Sequence, residues 1–338
     1  MQTETIAKNA NADARNNRET LRPYLATVLA GWVAMIAAGL VYARMKGIAN
    51  GIALPIIAAF LIELPLYLAP LFAGARAAAA RLERWKLAAL LAVTAVLPYV
   101  AYSVPTHVWN GLDLYRLGGL AITLSFWYIV LPGAIWSDLL FLVCPALLTV
   151  SKVMRQVYDS PLDGIRLDIL GKLMLIHVAA MAVLVLRGLT GVKPGLVPTR
   201  REAWIGVRNF LVFLPAGVAL AWALQLRMRP VPLPAWFALP VFFGSFLVVS
   251  FSEEFAFRGV LQQHLTRLLG RWAALIVASI LFGLGHVGFG NVFPNWPMVV
   301  LAGVAGLFYG QAYMEAGSIR ASMLTHALTV VVWSIWLR

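Results

Sequence analysis

The chain has 338 residues, of which 61% are hydrophobic and only 12% are charged. A soluble globular domain carries about 25% charged residues, so the composition excludes an ordinary water-soluble enzyme and points to a polytopic membrane protein. The formal charge is +13, from 27 Lys and Arg against 14 Asp and Glu. The basic residues sit mostly in short connections between apolar runs. That placement suits anionic lipid headgroups and not nucleic acid, for which no basic helix or aromatic platform is visible.

Residues 1–22 are rich in Asn, Ala and charge and show neither an apolar period nor a cleavable signal pattern. They read as a disordered or surface tail. Its basic residues Lys8, Arg15, Arg18 and Arg22 favour a cytoplasmic N-terminus. Apolar runs follow at about Tyr24–Tyr42, Gly51–Ala73 and Leu87–Val104. The second carries Glu63, two residues before Pro65, which reads as a locally bonded group at a kink. Pro105 to Arg116 reads as a loop with His107 and Trp109 at the membrane interface. From Leu117 to Val150 the sequence is apolar but broken by Pro132, Gly133 and Asp138. One span with a half-helix and two short spans both fit. Cys144, the single cysteine, reads as a small buried hydrophobe and leaves no intramolecular disulfide and no Cys-rich zinc site.

Residues 151–168 are the most polar internal stretch and the best candidate boundary between two halves. The run Ile169–Leu186 carries Lys172, expected to snorkel, and His177, expected to be packed or hydrogen-bonded within its helix. A Gly/Pro/basic linker, a span at about Ile205–Leu226 and a Pro-rich loop precede four closely spaced apolar segments, at about 235–251, 272–289, 296–314 and 319–337. The fold class expected is all-α, a polytopic transmembrane helical bundle of roughly ten apolar segments, each near the ~20 residues that a bilayer requires.

Polar residues in the last four segments are few. Ser252-Glu253-Glu254-Phe255-Ala256-Phe257-Arg258-Gly259 follows directly on an apolar run. A charged side chain inside a membrane segment costs about 2.5–3.5 kcal/mol on insertion scales, so such residues are functional candidates. Glu254 and Arg258 are spaced to pair one turn apart. Glu253 is rotated by about 100° and has no local cation. One carboxylate would be tied down, the other free to act as a base. Phe282-Gly283-Leu284-Gly285-His286 and Leu324-Thr325-His326-Ala327 add a histidine each. A Gly303, Gly306, Gly310 stripe between them suits close helix packing. The competing reading of Glu253-Glu254 is a solvated helix start. His264 is too far along the helix from Glu253 to meet it and reads as interfacial. Glu315 and Arg320 flank a turn at Gly317 and read as structural.

At these residues the chain resembles the CAAX-protease and bacteriocin-processing (CPBP) family of intramembrane endopeptidases. The resemblance rests on Glu253-Glu254-x-x-x-Arg258, Phe282-x-x-x-His286, His326 in the final helix, and the Gly-rich and Gly-Ser-Ile segments between them. It covers roughly residues 235–337. It implies that Glu253 activates a water, that His286 orients it, that Glu254 and Arg258 support the site and that His326 stabilises the oxyanion. The family usually has Asn or Asp four residues after the last His, where this chain has Val330 with Thr329 just before it.

The expected function is therefore an integral membrane endopeptidase of the glutamate type. Its substrate would be a peptide or protein, prenylated or otherwise membrane-associated, and its partners include the bilayer but no nucleic acid. No cofactor is expected. Zinc held by Glu253, His286 and His326 is the alternative, since such donors occur in catalytic zinc sites. A non-catalytic peptide-binding or bacteriocin-immunity protein of the same fold is the rival function, and a transporter the third. The expected location is the bacterial inner (cytoplasmic) membrane. The expected organisation is a tail (1–22), an N-terminal transmembrane region without an assigned role (23–150), a polar connection with one span and a linker (151–202), and a CAAX-protease-like catalytic domain (203–338).

Overall fold

The computed structural model describes residues 2–226, 234–290 and 292–336, and among these the regular structure is entirely helical. Seven helices are long and apolar enough to cross a membrane, and Ile135–Leu148, Arg271–Leu284 and Ile319–Ile335 form three shorter apolar helices. The protein is a polytopic helical membrane protein, as the composition requires. It divides into two compact units, Met1–Leu189 and Thr190–Arg338.

In the first unit α1 (Gln2–Lys46) is continuous. The polar residues expected as an unstructured or surface tail enter it as helix, since Ala, Arg, Glu and Lys are good helix formers. Helix α2 (Asn50–Leu68) is followed by the short α3 (Ala73–Ala79) and by α4 (Arg84–Ser103). The ambiguous stretch after it resolves into two helices, α5 (Gly111–Val130) and α6 (Ile135–Val150). Pro132 disfavours helix at the residue before it and cannot donate a backbone bond. Asn110 starts α5 early by accepting from the Leu112 amide at 2.9 Å, so the expected loop is shorter than the sequence suggested. Asp138, in the first turn of α6, pairs with Arg187 at 3.1 Å.

The short α7 (Met154–Val157) leads into α8 (Asp168–Met181), which continues in π-helical winding over Ala182–Leu186. Asp168 gathers Arg166 at 2.8 Å, Lys172 at 3.1 Å and Arg155 at 3.8 Å. Lys172 is thus ion-paired one turn from Asp168. The polar stretch 151–168 folds into the first unit and does not separate the two. Helix α2 packs against α1, α4 and α8.

The second unit contains α9 (Arg200–Ala223), α10 (Ala238–Leu269), α11 (Arg271–Leu284), α12 (Trp296–Ala316) and α13 (Ile319–Trp336). Thr199 and Glu202 open α9 with reciprocal side-chain-to-backbone bonds of 3.3 and 2.7 Å, a capping box. Helix α12 stops at Gly317, whose φ of +64° is a left-handed value that glycine adopts without strain. A Cβ on Gly283 of α11 would lie 2.5 Å from the Val299 carbonyl oxygen and 3.0 Å from the Gly303 Cα. The α11 and α12 backbones are therefore in direct contact, the close approach for which the glycines were expected. Phe213, Phe282, Leu301, Ala305 and Tyr309 share one core cluster. This packs the end of α11 that carries Phe282 against α12.

Candidate active site

Glu253 and Glu254 occur inside α10, not at a helix start. The helix is π-wound over Ser245–Ser250 and again over Phe255–Gln262, with the α-helical turn Phe251–Glu254 between. Such wide turns inside helices recur at functional sites. The solvated-first-turn reading therefore falls: both carboxylates are mid-span.

The two acids differ as their spacing implied. Glu254 is fully buried and its Oε2 lies 3.2 Å from Arg258 Nε, with both side chains inaccessible. The angle of that contact is not that of a hydrogen bond, so it is an ion pair held by charge. Arg258 donates through Nη2 to the Gly306 carbonyl at 2.9 Å and lies over the Phe282 ring, 4.8 Å from its centroid. A lone buried charge is very costly. Arg258 meets that requirement with a carboxylate, a carbonyl and an aromatic face.

Glu254 also positions His326. Its Oε1 is 3.0 Å from His326 Nδ1. A carboxylate tied to arginine only accepts, so Nδ1–H donates and His326 Nε2 is turned away from Glu254. That nitrogen is 4.0 Å from Glu253 Oε2. The gap is too long for a direct hydrogen bond, and separations of this kind are commonly bridged by water. Glu253 is the more open acid, with its side chain 32% exposed, yet its Oε2 is buried and has no hydrogen-bond partner.

His286 differs from the expectation in one respect. It belongs to the turn immediately after the last residue of α11, with its amide bonded to the Gly283 carbonyl at 2.8 Å, and not to the helix itself. Its Nδ1 is 2.9 Å from the Phe282 carbonyl oxygen. A carbonyl can only accept, so Nδ1 carries the hydrogen and Nε2 offers a lone pair. Phe282 lies between the two histidines, its centroid 4.9 Å from that of His286 and 5.8 Å from that of His326. Tyr309 stacks on His326 at 4.6 Å and 14°.

Tyr309 was not singled out in the sequence. The available signal was its place three residues after Gly306 on the glycine face of α12, which puts it on the same side of the helix. His264, read as interfacial, is fully buried. Arg320 is committed to Glu202 at 2.8 Å, and Glu315 pairs with Arg208, in keeping with the structural roles expected. The hydroxyls nearest the Val330 departure are also engaged. Thr325 bonds the Gly206 and Ala321 carbonyls at 3.0 Å each, and Thr329 bonds the Thr325 carbonyl at 2.9 Å.

Glu253, Glu254, Arg258 and His326 thus form one connected cluster, with His286 joined to it through Phe282. Residues 234–332 match the family model described as Type II CAAX prenyl endopeptidase Rce1-like. The match falls on the residues that carried the resemblance, so this part of the second unit is similar to the domains of that endopeptidase family. No curated protein and no solved structure matches the chain. As for zinc, among the described residues no group of three or more His, Cys, Asp or Glu side chains is arranged to hold a metal ion. Glu253, His286 and His326 do not form a ready-made zinc site.

Proposed function

We propose that the protein is a glutamate-type intramembrane endopeptidase whose general base is Glu253. The observation that supports this most is the pairing of acids around His326. Glu254 is neutralised by Arg258 and orients the imidazole, while Glu253 faces the other ring nitrogen across 4.0 Å with a buried oxygen unpaired.

The chemistry follows from these positions. A water near Glu253 gives one proton to the carboxylate, and the hydroxide equivalent attacks the scissile carbonyl carbon. The Nε2 lone pair of His286 accepts the water's other hydrogen and fixes its orientation. In its protonated form His326 presents Nε2–H, and Glu254 supports the positive ring. That hydrogen is donated to the carbonyl oxygen as it gains charge. The tetrahedral intermediate collapses, the C–N bond breaks, and Glu253 returns its proton to the departing amine. The products are a carboxylic acid and an amine, and transfer of the acid's proton leaves a carboxylate and an ammonium group.

The substrate on this reading is a peptide or protein segment at the membrane, prenylated or otherwise apolar. The reacting domain is residues 203–338, and the setting is a bacterial inner membrane. No metal takes part, so stringent chelation of purified protein leaves cleavage intact. A loss that added zinc restores would reverse that part.

The central test is cleavage of a peptide library by purified protein and by Glu253→Gln in parallel. Gln keeps the size but cannot take the proton. A general base contributes about 10²–10⁴-fold, and turnover should fall by that factor with unchanged folded yield. Wild-type turnover in the variant would sink the mechanism.

A further inference from the structure

The first unit contains a second buried carboxylate–histidine pair, which the peptidase reading does not use. Glu63 of α2 and His177 of α8 are 114 residues apart in sequence, both side chains are 1% exposed, and Glu63 Oε1 lies 2.7 Å from His177 Nδ1. The sequence had left these two unconnected. Both belong to helices long and apolar enough to span a membrane. Ionisable groups at such positions are costly and are functional-site candidates. The remaining polar atoms of the pair, Glu63 Oε2 and His177 Nε2, are buried and have no hydrogen-bond partner. A second observation points the same way: the Tyr158 hydroxyl is also buried without a partner, and Tyr158 interacts electrostatically with Glu63.

Tyr158 in turn connects outward. Its ring stacks on Tyr102 at 6.2 Å and meets Tyr99 edge-on at 5.7 Å. The Tyr102 hydroxyl donates to the backbone carbonyl of the exposed residue Asp159 at 3.1 Å. The Tyr99 hydroxyl donates to the carbonyl of the exposed residue Asn110 at 3.2 Å and receives the Asn110 amide at 3.1 Å. The three phenols therefore form one ring cluster, with the Tyr99 and Tyr102 hydroxyls anchored on the carbonyls of exposed residues. The other groups near the pair are accounted for. Tyr67 lies one turn beyond Glu63 and interacts with it, and Tyr24 of α1 is bonded to the Pro65 carbonyl at 3.0 Å. Lys172, on the His177 helix, is held by Asp168. Among the described residues no Lys or Arg forms an ion pair with Glu63, whose one ionisable partner at contact distance is His177.

We propose that Glu63 and His177 form an intramembrane proton-binding site in the first unit, reached from the Asp159 and Asn110 end through Tyr99, Tyr102 and Tyr158. The ligand is a proton exchanged with bulk water. Each hydroxyl takes one proton and passes on another, with internal water filling the steps between rings. The pair gains or loses one proton and nothing is oxidised or reduced. The site does not depend on the peptidase chemistry of the second unit.

The test uses the full-length protein in nanodiscs with ¹⁵N-labelled histidine. The His177 ring signal should change with acidity, and its midpoint should move in Glu63→Gln. Tyr158→Phe keeps the ring and removes the hydroxyl. It should leave the midpoint in place and slow solvent exchange of the His177 N–H, because the hydroxyl nearest the pair on the proposed route is gone. If Tyr158→Phe does not fold, Tyr102→Phe tests the next step with the same readout. A His177 signal that never titrates, or wild-type exchange in the phenylalanine variant, overturns the proposal. A purely structural pair would change thermal stability and leave exchange untouched.

Discussion

Each unit buries a carboxylate against a histidine, and the two pairs are built differently. In the second unit Glu254 holds His326 at 3.0 Å and Arg258 at 3.2 Å, and a further carboxylate, Glu253, faces the far side of the ring. In the first unit Glu63 holds His177 at 2.7 Å with phenols as its other neighbours. A permanent cation fixes the charge of Glu254 whatever the imidazole does. Without one, the charge of Glu63 and that of His177 must change together. The first arrangement keeps an imidazole oriented beside a second, more open carboxylate, as the proposed mechanism requires. The second stores or exchanges a proton.

The same substitution should therefore have unequal effects at the two acids. Glu254→Gln leaves Arg258 charged in an apolar interior with its counter-ion gone. Breaking a buried ion pair from one side costs about 3–5 kcal/mol. The variant should unfold in detergent at a markedly lower denaturant concentration and lose activity as His326 is freed. A Glu254→Gln protein as stable as wild type would mean that the Arg258 charge is met elsewhere, and the division of labour between the two acids would fail.

Val330 marks the next contrast. Four residues beyond His326 it faces the same side of α13, and it offers no donor, while the Thr325 and Thr329 hydroxyls go to backbone carbonyls. On the proposed mechanism His326 alone then serves the developing oxyanion. Adding a donor by Val330→Asn should raise turnover. The ceiling is the roughly 10²–10³-fold that one oxyanion donor is worth in a soluble protease. Unchanged or lower turnover in a well-folded variant would place the carbonyl oxygen away from this face of α13.

Much of the second unit was legible because its signals are local. The Glu254–Arg258 pair follows from helical spacing, and the α11–α12 contact from Gly283 and Gly303. The separation of Glu253 from its neighbour follows from the rotation per residue. What escaped depended on partners distant in sequence or on backbone winding. Nothing in the sequence near Glu63 announces His177, since pairing across 114 positions is set by how α2 packs on α8. The π-wound turns on either side of Phe251–Glu254 have no residue signature comparable to a proline or glycine break, so the acids read as a helix start. His286 was placed in a helix because the apolar run continues through Val287, yet the helix ends at Leu284. Hydrophobicity persists in a turn packed against aromatic rings. His264 looked interfacial from its distance along the helix, a measure that says nothing of what a neighbouring helix covers.

The smallest effect expected is at Glu63. Glu63→Gln keeps a carbonyl oxygen for the His177 Nδ1–H and leaves no stranded cation. Interhelical hydrogen bonds inside membranes average about 0.6 kcal/mol in double-mutant cycles. The loss of stability should be of that order, several-fold below that of Glu254→Gln measured by the same unfolding experiment. The inequality is the informative quantity, because both residues are equally buried and both substitutions change the same atom. Equal losses would mean that desolvation alone governs both sites and that Arg258 adds nothing. A larger loss at Glu63 would mean that His177 is held permanently charged, in which case the pair would be a fixed ion pair and could not exchange a proton.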